Sequence, residues 1–332
     1  MTSRKQLDRI AQILEQQIAQ NDDMRAALER SQKEVSLVQL RMLSFHQRRN
    51  LLPNDSAALQ KTCMMLWGLS KTTPLDHKDL LNSGFRVFSQ GDEDGIVLRI
   101  FQKIGMANKV VVEIGSNCDD SDLAIPENIS SNLIVNHGWH GVVYELDSTE
   151  CQRIRHFFAQ NSVTKHFHSD SMSGGYISPL IENVEVTPEN IDDLLRANLS
   201  VPEPDLMIID IDGGDFAIME SMQAIKPRVL VVEFEKRFRE LHSVVQRSRG
   251  DFGKYYPQSG AASLSAWNKL LSARGYVLCS IATTGFNAFF VRADIAAGAL
   301  EPVSVRAAFD DHPVLSNANT LWVEPDETWS EF

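Results

Sequence analysis

Through the first fifty positions, apolar residues recur in alternating steps of three and four. The series runs Leu7, Ile10, Leu14, Gln17, Asn21, Met24, Leu28, Ser31, Val35, Val38, Met42 and Phe45. Most members are apolar and the exceptions are small or amide side chains, which is the pattern of a heptad seam over about six repeats. No Gly or Pro interrupts it. A single amphipathic helix of this kind has no core of its own. Residues 1–49 are therefore expected to self-associate as a coiled coil, making the chain a homo-oligomer, with Asn21 helping to fix register. The alternatives are a helix folded back on the chain's own globular part, or one that docks another protein. A connector at residues 50–87 opens with turn chemistry at Pro53-Asn54-Asp55-Ser56. A short helix over 57–68 follows, in which Met64, Met65, Leu66 and Trp67 are expected to pack.

From Phe88 the pattern changes to strands alternating with helices. KVVVEIG (109–115), GVVYELD (141–147), a weaker KHFHSD (165–170), DLMIIDID (205–212) and RVLVVEFE (228–235) are short β-branched or aliphatic runs. Helical segments lie between them, including 148–160, 190–198 and 216–224. Continuous apolar strands separated by helices predict a parallel sheet covered on both faces. A helix over 263–274 then leads into GYVLCSI, a Thr-Thr-Gly turn and NAFFVRA, which form an antiparallel hairpin. The expected fold is α/β, with a Rossmann-like sheet of parallel strands ending in an antiparallel hairpin, as in class I methyltransferases, and an N-terminal coiled-coil helix. The sheet domain spans 88–295, and 296–332 is read as an irregular, surface-packed tail.

Composition narrows the partners. The 332 residues carry a net charge of −12 and are 43% hydrophobic, which argues against a broad nucleic-acid surface or an anionic-membrane surface. No apolar run reaches the length of a membrane span. The four cysteines are scattered, so neither a disulfide framework nor a zinc site is expected. A polar N-terminus without a signal-peptide core makes the cytoplasm the expected location.

In an open parallel sheet, ligands bind beyond the carboxyl ends of the strands, so those ends hold the candidate chemistry. Glu113-Ile114-Gly115 ends the first strand. Its glycine suits a sharp turn close to a ligand, and its acid can accept from an ammonium group. No Gly-x-Gly-x-x-Gly is present, which weakens a dinucleotide reading. Glu145 or Asp147, ending the second strand, suits a ribose diol, with Glu145 preferred. Asp170 can accept from an adenine amino group. Asp210 and Asp212, with Glu233 on the next strand, form a candidate site for Mg2+ or another divalent cation. The same acids also suit substrate, base or purely structural roles. Asp215 is expected to cap the next helix. A calcium EF-hand fails, because the sixth and twelfth positions from Asp210 are Asp215 and Ser221.

FSQGDEDGIVLRIF, VVVEIGSN, SNLIVNHGWHGVVYELD, LMIIDIDGGDF, PRVLVVEFE and the segment from ASLSAWNKLL to NAFFVRAD occur in that order across Phe88–Asp294. Together they resemble the FkbM-type family of S-adenosylmethionine-dependent methyltransferases, in the branch linked to bacterial surface glycans. The resemblance implies S-adenosylmethionine as cofactor and the hydroxyl of a sugar or glycan as acceptor. It implies that Glu113, Gly115 and Asn117 hold the methionine part, Glu145 the ribose and Asp170 the adenine. Asn132 would lie near the cofactor, and Gln90 and Asp94 at the mouth of its pocket. Asp210, Asp212 and Asp215 match the family's acidic element. A sugar hydroxyl has a high pKa and needs a metal or a base, for which Asp212 and His242 are the candidates. Where relatives carry a second glycine in the first loop, this chain has Cys118-Asp119-Asp120. That departure favours the first alternative function, a non-catalytic oligomeric scaffold. The second is a metal-dependent glycosyltransferase using Asp210 and Asp212.

Overall fold

In the computed structural model of the protein, residues 53–69, 74–118, 125–160, 178–211, 213–246, 262–317, 324–325 and 328–332 are described. The expected coiled coil at 1–49 lies outside them, as do Asp119, Asp120, Asp170 and Asp212. Pro53–Phe332 forms one compact unit, separate from Met1–Leu52.

The apolar runs become the strands of a seven-stranded sheet. β1 is Val110–Ile114, β4 His140–Glu145, β5 Leu180–Asn183, β6 Leu206–Ile209 and β7 Val229–Glu233. The hairpin strands are β9 (Tyr276–Ile281) and β10 (Asn287–Arg292). Two short strands, β2 (Asn117–Cys118) and β3 (Pro126–Glu127), pair outside this sheet. The order is β5-β4-β1-β6-β7-β10-β9. The first five are mutually parallel, and β10 runs antiparallel between β7 and β9. The chain leaves β1 toward β4 and later returns to its other side at β6, so β1 is the topological switch point.

Two-residue alternation distributes the strand side chains between two cores. Val111, Val143, Ile208 and Val231 pack with α3 (Glu93–Ile104), α4 (Ser130–His137) and α5 (Ser148–Gln160). Val112, Val142, Ile209 and Val232 pack with α6 (Ile191–Asn198), α7 (Asp215–Ser221) and α8 (Leu264–Ala273). α1 (Pro53–Leu69) lays Met64 and Trp67 against the first core, while Met65 and Leu66 stand in solvent. The expectation that all four pack is corrected to that extent. The short α2 (His77–Leu81) contributes Leu80 to the same core.

Two further expectations change. The parallel strand beside β4 is Leu180–Asn183, whereas KHFHSD (165–170) lies outside the described residues. The C-terminal segment also contributes more than an irregular tail. α9 (Ala293–Ala296) and α10 (Val305–Asp310) follow β10, and β11 (Ser330–Glu331) pairs with β8 (Val244–Val245). Phe309 joins the second core, and the Phe332 ring meets Phe216 at 4.7 Å. Among the described residues no helix is long and apolar enough to cross a membrane.

The foot of the sheet is clamped by Asp205, which is fully buried. Its carboxylate accepts from the backbone amides of Ala107 and Asn108 at 2.9 Å and of Lys109 at 2.7 Å, and it pairs with Arg228 at 2.5 Å. Lys109 adopts a left-handed φ of 55°, which costs a residue with a side chain and needs outside support. Removing one partner of such a buried pair strands the other charge. Asp205→Ala should therefore lower the unfolding free energy in urea by about 3 kcal/mol or more. A loss below about 1 kcal/mol would show that the clamp does not hold the sheet.

Candidate active site

The carboxyl ends of β1, β4, β5, β6 and β7 open into one cleft of about 880 Å³. Gly115 determines how the strands part there. Its φ is 81°, and a Cβ on it would stand 1.8 Å from the Asp210 carbonyl oxygen. The Gly115 amide donates to the Tyr144 carbonyl at 2.9 Å, and the Asp210 amide to the Ile114 carbonyl at 3.0 Å. Only glycine tolerates both this conformation and this approach. Its first duty is thus to the neighbouring strand.

Eight of the residues singled out from the sequence line this cleft: Gln90, Glu113, Gly115, Asn117, Glu145, Asp147, Asp210 and Glu233. Glu113 is buried at the end of β1. Its carboxyl accepts from the Ile129 amide at 3.0 Å and from the Ser130 hydroxyl, at the start of α4. Burial outweighs these bonds and pushes its pKa up to about 7. Glu145 accepts from the Ser116 amide at 3.0 Å and the Asp147 amide at 2.6 Å, so it fixes the turn after β4 while facing the cleft. Asp147 accepts from the Glu150 and Thr149 amides as the cap of α5, and these bonds hold its carboxyl below the usual range.

Three of the candidates, Asp94, Asn132 and His242, stand outside the lining of the cleft. Asp94 accepts from the amides of Val87, Phe88 and Ser89 at 2.7, 2.8 and 2.9 Å and from the Ser89 hydroxyl at 2.9 Å. It thereby fixes the loop that carries Gln90, and burial pushes its pKa up to about 6. Asn132 is buried on α4 and exchanges hydrogen bonds with Gln60 of α1 at 2.9 and 3.1 Å. It ties two helices together and does not line the cleft. His242 is also outside the cleft, with Nε2 3.4 Å from Glu324. In the acidic turn, Asp215 does not cap α7 from the N-cap position, which Gly214 occupies. It is the first residue of α7, and its carboxylate accepts from the Ile211 and Gly213 amides at 2.9 and 3.0 Å. β6 ends at Ile209, so Asp210 already belongs to the turn.

Other contributors had little signal in the sequence. Asn183, ending β5, lines the cleft and donates to the carbonyls of Glu145 and Leu146. Asn287 lies opposite Glu233 in the β7–β10 register, and Phe286 precedes it at the rim. Glu150 accepts from the Cys118 amide at 2.9 Å, fixing the first loop to α5.

Among its described lining residues the cleft has six carboxyl side chains, those of Glu113, Glu127, Glu145, Asp147, Asp210 and Glu233, and no Lys, Arg or His. Such a lining repels phosphate and suits a cationic ligand rich in hydroxyl and amino donors. S-adenosylmethionine fits that description through its sulfonium, its ammonium, its ribose diol and its adenine amino group. Asp210 and Glu233 share the cleft, but among the described residues no group of three His, Cys, Asp or Glu side chains is arranged to hold a metal.

Comparison with known proteins agrees with this chemistry. Residues 97–278, more than half of the chain, match the model of the methyltransferase FkbM domain. No curated protein matches. Solved structures with similarity include a carbon methyltransferase, CurJ, at 12% identity and a TM-score of 0.34, covering 62% of this chain and 56% of that one. An O-methyltransferase from Bacillus cereus in complex with SAH shows 13% identity and a TM-score of 0.34, covering 74% and 93%. The CMeT domain of the citrinin polyketide synthase shows 12% identity and a TM-score of 0.34, covering 60% and 54%. The chain thus spans little more than half the length of the first and third. With its domain matched over most of the sheet, the chain belongs to the FkbM methyltransferase family.

Proposed function

We propose that this methyltransferase moves a methyl group from S-adenosylmethionine to a hydroxyl of a sugar or glycan precursor. The observation that carries the cofactor half is the acid-lined cleft at the switch point. Glu113 would face the ammonium, the Ser116–Asn117 turn the carboxylate, and Glu145 with Asn183 the ribose end. When bound, the cofactor supplies an electrophilic methyl on a sulfonium. The acceptor half falls to the β6, β7 and β10 side of the cleft. There the carboxylate of Asp210 or Glu233 would orient the acceptor hydroxyl and take its proton, with Phe286 at the rim offering an apolar face. Asp212, two residues on in sequence and outside the described residues, remains a candidate for this role. A metal at Asp210, Asp212 and Glu233 would lower the hydroxyl pKa, so the assay includes arms with Mg2+ and with EDTA. The family match weighs against the glycosyltransferase alternative, and the intact acids of the cleft weigh against a scaffold.

Methyl-labelled S-adenosylmethionine, offered with a panel of nucleotide sugars and glycans, tests the acceptor class. Label is expected in a base-stable methyl ether. Base-labile label would indicate an ester and a carboxyl acceptor. Incorporation only into protein or lipid would overturn the sugar reading.

The Glu113 environment also predicts a pH dependence. In the free protein its carboxyl is largely protonated below about pH 7, whereas an ammonium ligand favours the ionised form. Binding then releases a proton, and affinity falls as pH drops through that value. S-adenosylhomocysteine should bind roughly eightfold more weakly at pH 6 than at pH 7.5. Glu113→Gln should bind weakly at both values. Equal wild-type affinities, measured by calorimetry, would remove Glu113 from the ammonium site.

A further inference from the structure

The acceptor side of the cleft is bordered by the turn 283–286, between β9 and β10. A surface turn is ordinarily the mobile part of a hairpin, but this one is fastened from three sides. The Thr283 amide donates to Asp92, just ahead of α3, at 2.9 Å. Lys236, just after β7, donates from Nζ to the Thr284 carbonyl at 2.9 Å. The Phe286 carbonyl accepts from the Phe234 amide at 2.8 Å. Within the turn, the Gly285 amide donates to the Ala282 carbonyl at 2.8 Å.

Held in this way, the turn presents Phe286, a large apolar side chain that is 38% exposed. The Lys236 ammonium lies over one face of its ring, 3.8 Å from the centroid, as a cation on a π system does. Phe286 lines the cleft, and Lys236 is not among the described lining residues. The ring therefore stands between the cation and the cleft, with its open side on the cleft. The next residue, Asn287, pairs in register with Glu233, whose carboxyl lines the same wall.

An open aromatic face beside carboxylates matches a ligand with two kinds of surface. A pyranose ring has a face of C–H groups and an edge of hydroxyl donors. The C–H groups, slightly positive, meet the negative face of the ring, while the hydroxyls donate to the carboxylates. A nucleobase also stacks on an aromatic ring, but in a nucleotide sugar it brings phosphates that an acidic lining repels. We propose that Phe286 is a preformed platform on which the ring of the acceptor sugar stacks, and that Lys236 is a positioning residue that holds the platform from behind. The proposal rests on the sugar-acceptor reading above and assigns to it a residue that selects the ring.

Full-length protein would be assayed with methyl-labelled S-adenosylmethionine on nucleotide sugars and on the methyl glycosides of the same sugars. Binding of S-adenosylhomocysteine would be measured alongside by calorimetry. Phe286→Ala is expected to raise the acceptor KM about tenfold, with kcat and the S-adenosylhomocysteine Kd held within about twofold. Phe286→Tyr and Phe286→Trp, which keep an aromatic face, should hold KM within about threefold. Lys236→Met should raise KM about threefold, and Lys236→Arg, which keeps a cation and a donor, should restore it. An unchanged KM in Phe286→Ala, on sugars that the wild type methylates, would overturn the platform and leave the sugar reading standing. A KM effect confined to nucleotide sugars would assign the ring to the base, and weakened S-adenosylhomocysteine binding would assign it to the cofactor. Either result overturns the proposal. A wild type that binds S-adenosylhomocysteine but methylates no sugar of the panel would remove the sugar reading, and the platform with it.

Discussion

Gly115 brings the end of β1 into contact with the Asp210 carbonyl, where β1 parts from the neighbours it pairs with on both sides. That approach allows the ends of β4 and β6 to flank a single opening. A Cβ at this position would stand 1.8 Å from that oxygen, so the end of β1 and the Asp210 turn would have to move apart. Bonds beneath and beside the crossing keep it in place, from Asp205 at the foot of the sheet to Glu145 and Asp215, which hold the turns on either side.

Gathering acids at one opening has an electrostatic consequence. Like charges in a partly dry cleft raise one another's pKa or require a cation. Burial keeps Glu113 largely protonated until about pH 7, so the free cleft is less charged than its sequence implies. A ligand that brings positive charge and donors recovers the full strength of these carboxylates, whereas one that brings phosphate meets only repulsion. Methyl transfer from a sulfonium cofactor is the chemistry this arrangement suits.

The strands and most helices were legible because their periodicity is local. Ser148–Gln160 and the hairpin strands emerge where the apolar pattern puts them. β5 was not legible, because Leu180–Asn183 is four residues long, half polar, and a strand only through its pairing with β4. The acids that end strands were legible as residues of one cleft, since the ends of parallel strands converge by topology. Asn132 and Asp94 were misplaced for a different reason. The partner that satisfies Asn132 is Gln60, 72 residues away, and Asp94 is taken up by three consecutive backbone amides. No residue pattern distinguishes a polar side chain buried for packing from one presented to a ligand. Asp215 shows the same limit, since its place at a helix start suggested a cap where its carboxylate instead closes the preceding turn.

Calorimetric titration of the full-length protein with S-adenosylhomocysteine at pH 7.5 tests the central claim most directly. The account predicts saturable one-site binding that Glu145→Ala weakens by roughly tenfold to a hundredfold, the range expected for losing a charged acceptor to a ribose diol. Absence of binding in the folded wild-type protein would contradict it, as would binding that is indifferent to Glu145.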